Sequence, residues 1–166
     1  MAKKAACLLL SLLLPVLAAA CGGVPREQAA VLGPFVSAAK GVAANLAEID
    51  NCPEPALSTA MTYFNSLAEP ATLLPLKSYA DDGEWGRFEY SLREAHGRYS
   101  EIFDRIRGGE PLREEDRAYL DTLRAALETL LDSILEEDGR TYRREALREG
   151  RLTERIAAFS SGVMIE

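Results

Sequence analysis

Residues 84–109 read EWGRFEYSLREAHGRYSEIFDRIRGG. Trp85, Phe88, Leu92, Ala95, Tyr99, Ile102 and Ile106 recur every three or four residues, which puts them on one stripe of an α-helix. Glu94 and Arg98, like Glu101 and Arg105, stand four apart on the flanks as helix-supporting pairs. Gly108-Gly109 ends the pattern, as glycine commonly does past a helix C-terminus. A stripe this long excludes a strand, whose apolar residues would alternate. The rest of the chain is therefore read for helices first.

Downstream, the segment beginning PLREED (Pro111–Asp116) carries acids in its first turn, where they complement the helix dipole. Leu120, Leu123, Leu127, Leu130 and Ile134 then mark a core face that is expected to run to Gly139. A last helix is expected from Thr141 to Phe159, with a patchier stripe and interruptions at Gly150 and Ser160-Ser161. Upstream, Phe35, Ala39, Val42, Leu46 and Ile49 share one helical face, and Pro34 suits a first turn. REQAAVL before it lacks breakers and allows a shorter helical piece. After the break NCPEP (Asn51–Pro55), Leu57, Met61, Phe64 and Leu67 continue the same periodicity up to Pro70. Ala71–Gly83, with Pro75 inside it, reads as a connection closed by an Asp-Asp-Gly turn signal. No run alternates as a strand would. The expected fold class is all-α: a single helical bundle of four to five helices, up-and-down because its connections are short.

The N-terminus is different in kind. Lys3 and Lys4 precede an apolar run, CLLLSLLLPVLAAA (Cys7–Ala20), that ends in small residues. This order of charge, apolar core and small-residue cleavage site is that of a secretory signal peptide. A permanent membrane span needs roughly 20 apolar residues, and this run is shorter and broken by Pro15. The stretch LAAAC, Leu17–Cys21, resembles the lipobox of bacterial lipoproteins, although Ala18 stands where that family usually has leucine. The resemblance implies that Cys21 is the lipid-attachment residue: its sulfur takes a diacylglycerol, the chain is cut before it, and the new amine is acylated. Gly22 in place of aspartate implies, by the same resemblance, the periplasmic face of the outer membrane. Ordinary cleavage after Ala20, leaving Cys21 a plain thiol, is the alternative. The expected segments are a signal peptide over 1–20, a tether and short N-terminal segment over 21–33, a helical domain over 34–159 and a tail over 160–166.

Loss of the first twenty residues would leave 146 and, by removing two lysines, take the net charge from −7 to −9. An acidic chain repels nucleic-acid phosphates, so no nucleic-acid partner is expected. The charges are uneven. Cys21–Gly83 holds three basic and seven acidic residues, whereas Glu84–Glu166 holds fourteen arginines and nineteen acids. Acylation of Cys21 would strand Cys52 as a lone thiol, which packs as a small apolar residue or reacts as a free one.

Residues able to carry chemistry are few. His96 is the only histidine, with Glu89 and Ser100 as helical neighbours. Zinc sites want three or four Cys or His ligands, and Arg93 occupies the position at which a di-iron bundle would need glutamate. No catalytic residue, metal ligand or cofactor is expected, and the chain reads as non-enzymatic. Trp85, Phe88, Tyr90, Tyr99 and Phe103 cluster on one helix. Core packing is the plainer reading; a ligand groove framed by Trp85, Phe88, Tyr99 and Phe103 is the alternative. Arg140, Arg143, Arg144, Arg148, Arg151 and Arg155, set among Glu145, Glu149 and Glu154, make either a solvated face or a surface for anionic lipid or an acidic partner. Arg143, Arg144, Arg148 and Arg151 are the candidate partner surface. Glu136-Glu137-Asp138 and these arginines flank Gly139, which predicts a helical hairpin latched by opposite charge; one long helix running through Gly139, at a cost of about 1 kcal/mol, is the alternative. The expected role is an envelope lipoprotein, bound to a membrane through its N-terminal lipid, whose helical domain docks a protein partner or envelope component. A periplasmic carrier of small apolar ligands is the alternative.

Overall fold

The computed structural model describes residues 26–164; the expected signal peptide, the expected lipid-attachment residue Cys21 and residues 165–166 lie outside that range. Six α-helices occur among the described residues: α1 (Arg26–Leu46), α2 (Pro53–Ala68), α3 (Pro70–Lys77), α4 (Asp82–Arg107), α5 (Glu114–Ile134) and α6 (Thr153–Val163). The apolar stripe of residues 84–109 is the buried face of α4, and Trp85, Phe88, Leu92, Ala95, Tyr99, Ile102 and Ile106 are all in the core. The α5 leucines and the α1 face are buried as the periodicity requires. Gly109, at φ 89°, takes the left-handed conformation that ends the α4 segment.

Around the core the helices follow the order α1, α2, α4, α6, α5 and back to α1, with α3 set against α1 and α2. This departs from a simple up-and-down bundle. Although α4 and α5 are consecutive in the chain, they meet only slightly, because α6 packs against both. Phe88 of α4 meets Phe159 of α6 edge-on, with ring centroids 5.2 Å apart. Between α2 and α4, Tyr99 donates its hydroxyl to the Leu57 carbonyl at 2.6 Å and packs edge-on against Phe64. A Cβ built on Gly41 of α1 would fall inside the Tyr63 ring of α2, so the close approach of those helices requires glycine there.

Several boundaries differ from the sequence reading. α1 begins at Arg26 and runs through Pro34; the wholly buried Leu32 and Phe35 on either side offset the lost backbone bond. The expected connection after Pro70 is the helix α3, which tolerates Pro70 in its first turn and Pro75 within it while burying Leu73 and Leu76. The expected final helix from Thr141 begins only at Thr153. It also continues past Phe159, with Ser160 and Val163 buried, so residues 160–163 belong to the packed domain rather than to a tail.

The flanking ion pairs also differ. The Arg98 guanidinium lies 3.9 Å from the centre of the Tyr119 ring, a cation–π contact between α4 and α5. Arg105 bonds the buried Asp116 at the start of α5. Both arginines thus engage the next helix rather than their own.

Candidate functional site

The segment between α5 and α6 carries five of the fifteen arginines, and its backbone follows from local chemistry. Three consecutive acids, Glu136-Glu137-Asp138, are unfavourable at a helix C-terminus, and α5 stops at Ile134 ahead of them. Asp138 accepts hydrogen bonds from the backbone N–H groups of Arg140 and Thr141, each at 2.8 Å, and from the Thr141 hydroxyl at 2.6 Å. These three donors hold its carboxyl well below the usual range, at about 2. Gly139 takes φ 63°, which lets the chain reverse. Leu135 and Tyr142 then form one isolated antiparallel bridge, and the Lys40 ammonium of α1 donates to the Gly139 carbonyl.

A hairpin is therefore present at the expected place, but neither arm is helical. Among the described residues its one ion pair is that of Arg143. The Arg143 guanidinium donates to the Asp132 carbonyl at 2.8 Å and pairs with Glu136 at 3.0 Å. Its backbone N–H reaches the Ile134 carbonyl at 2.8 Å. A cation on the last carbonyls of a helix is well placed against the dipole. Arg144, expected to share this task, is exposed and takes no ion-pair partner among the described residues.

From Arg143 the chain crosses to α6 without helix. Ala146, Leu147 and Leu152 point into the core. The Leu152 N–H donates to the Tyr79 carbonyl at 2.9 Å, and the Asp81 N–H donates to the Thr153 hydroxyl at 3.1 Å. Those bonds fix the far end of the crossing to the α3–α4 connection. With its apolar residues turned inward, the segment presents Arg143, Arg148 and Arg151 around a surface concavity of about 500 Å³, completed by Arg155 of α6, Asp132 and Ser133 of α5, and Glu145. Arg148, Arg151 and Arg155 have no ion-pair partner among the described residues. Three of the four arginines read as a partner surface are thus brought together. Arg144 is not among the lining residues, and Arg155 joins them. Asp132 and Ser133 are not legible as site residues, because a helix running to Gly139 puts them in its interior, whereas they stand in the last turn of α5, where Arg143 folds back onto them.

The aromatic cluster has a different fate. Trp85, Phe88 and Tyr99 are buried at 4 %, 0 % and 0 % exposure, and Phe103 packs partly buried against the same core. Their contacts are with other core side chains, and the Tyr99 hydroxyl, buried and bonded, is pushed well above its ordinary range. Tyr90 stands out in solvent.

His96 is partly buried. Its Nε2 lies 2.7 Å from Asn65 Oδ1 and its ring meets Phe64 edge-on. Burial pushes its pKa below the ordinary histidine value. It shares a small recess of about 120 Å³ with Glu89, Leu92 and Arg93, while Ser100 bonds its backbone carbonyl rather than its ring. Cys52 is an exposed free thiol just before α2. Among the described residues no three of His, Cys, Asp and Glu are grouped to hold a metal ion, and no helix is long and apolar enough to cross a membrane. No family model, curated protein or solved structure matches this chain.

Proposed function

We propose that this chain is a non-enzymatic lipoprotein of the bacterial envelope, anchored through acylated Cys21 on the periplasmic face of the outer membrane, whose helical domain docks a protein partner or an envelope component. The observation that carries the reading is the placement of LAAAC: an export signal and a lipidation signal coincide on one peptide bond, five residues before α1 begins. Stable anchoring takes more than one acyl chain, and the lipobox chemistry supplies three on one residue. The arginine-lined concavity supports a docking role, since Arg148, Arg151 and Arg155 offer cations without ion-pair partners among the described residues, on a chain that is acidic as a whole.

Intact-mass analysis of the membrane fraction tests the anchor. The expected species lacks residues 1–20 and carries the mass of three acyl chains on Cys21. A full-length 166-residue product, found in a soluble extract, would overturn it.

A further inference from the structure

The concavity beside α6 has a charge balance that narrows what it can hold. Arg143 is already engaged by Glu136 and by the Asp132 carbonyl. Arg148, Arg151 and Arg155 remain, set against the carboxylates of Asp132 and Glu145. One positive charge is left over, which suits a monoanion. Guanidinium groups match phosphate oxygens in paired hydrogen bonds and shed water more readily than ammonium groups do. A volume of about 500 Å³ also exceeds what a lone oxyanion fills and falls in the range of organic ligand sites. A phosphodiester meets both conditions: it carries one negative charge and a substituent on either side, whereas a phosphomonoester carries roughly −1.5 to −2.

The topology indicates where such a group comes from. α1 and α5 run antiparallel: Asp50, just past the end of α1, pairs with Arg117 in the first turn of α5, and Lys40 reaches Gly139 beyond the end of α5. The chain before Arg26 therefore leaves from the end of the bundle at which α5 stops and the arginine segment begins. Five residues separate Cys21 from Arg26, a span of at most about 17 Å. If Cys21 is anchored, as the preceding section proposes, this end of the domain is held against the bilayer surface. The same end also carries Asp81, Asp82 and Glu149 around a neighbouring concavity, offset only by Lys77, which pairs with Asp82; this net negative lining opposes adhesion to a uniformly anionic surface. Recognition of a single headgroup fits these charges; broad electrostatic attachment does not.

We infer that Arg148, Arg151 and Arg155 form a binding site for the phosphodiester of a phospholipid headgroup in the membrane that carries the chain. The test uses the full chain, purified in a nonionic detergent from whichever cell fraction holds it and titrated calorimetrically with short-chain phosphatidylglycerol. Saturable binding is expected, weakened about tenfold for each arginine removed in Arg148→Gln and Arg151→Gln. Arg144→Gln, on the same segment but outside the concavity, is expected to bind as the unaltered chain does. Arg148, Arg151 and Arg155 are exposed and take no ion-pair partner among the described residues, so unchanged melting temperatures will show that the variants fold. Equal affinity for inorganic phosphate would overturn the lipid source, and tighter binding of an oligoglutamate peptide would assign the surface to an acidic protein instead. No saturable binding, or binding indifferent to Arg148 and Arg151, would overturn the site itself. The titration does not depend on acylation, so an unprocessed mass with intact binding would sink the anchor alone.

Discussion

Replacing Arg143 by glutamate tests how the arginine segment is held. In the native domain its guanidinium bonds the Asp132 carbonyl and the Glu136 carboxylate, at the C-terminus of α5. A hydrogen bond from a charged donor contributes about 1.5–3 kcal/mol when well sheltered. The side chain is 40 % exposed, so solvent screening lowers that to about 1 kcal/mol. Charge reversal adds repulsion from Glu136 and from the helix dipole, roughly a further 1 kcal/mol. For a domain of this size each kcal/mol moves the melting temperature by about 4 °C. Arg143→Ala should therefore melt about 4 °C lower, and Arg143→Glu about 8 °C lower, by far-ultraviolet circular dichroism near neutral pH. High salt should narrow the gap between the two variants while leaving much of the alanine effect, because the carbonyl bond is screened less than the ion pair. Arg144→Glu, on a residue without an ion-pair partner among those described, should change little. Equal losses at Arg143 and Arg144, or none at either, would refute the reasoning.

Other consequences can be checked on the same material. Gly41→Ala should cost about 1–3 kcal/mol by forcing α1 from the Tyr63 ring; adding Tyr63→Ala should restore part of the loss, a coupling that a double-mutant cycle reads. Tyr99→Phe should cost about 1 kcal/mol, since the Leu57 carbonyl keeps its helical donor, whereas Tyr99→Ala should cost about 3–5 kcal/mol. Burial lowers the His96 pKa in the folded state, so the unfolded chain binds the extra proton first. Stability should therefore fall as pH drops through about 6.5 toward that lowered value, and His96→Gln should flatten this part of a melting-temperature profile. Asp138 behaves as a depressed carboxylate: its contribution is present above its ordinary pKa of 3.8 and is lost as pH falls toward about 2. Asp138→Ala should remove that acid-side dependence.

Periodicity made the long helices legible. The α4 and α5 stripes and the α1 face, read from spacing alone, are buried side chain for side chain, and on α2 only Met61 falls short of full burial. Where local signals competed with tertiary packing, the reading failed. Pro34 and Pro75 argue for a boundary and a loop, yet Leu32, Phe35, Leu73 and Leu76 bury well enough to keep those residues helical. Between Arg140 and Leu152 the residue types favour helix, but the left-handed turns at Gly139 and Gly150 break it, and buried Ala146, Leu147 and Leu152 hold the irregular path.

Ion pairing was misread for a related reason. Spacing along one helix finds i,i+4 pairs, whereas Arg98 and Arg105 reach Tyr119 and Asp116 on the next helix, a relation that only the fold creates. The arginine cluster was visible as composition. Its concavity depends on Asp132 and Ser133, which enter only because α5 ends before Gly139.

Metabolic labelling with a palmitate analogue, in cells expressing this chain or its Cys21→Ala variant, tests the anchor most directly. The account predicts label on the unaltered chain, recovered with membranes, and none on the variant. Label absent from the unaltered chain, or retained when Cys21 is replaced, would contradict it.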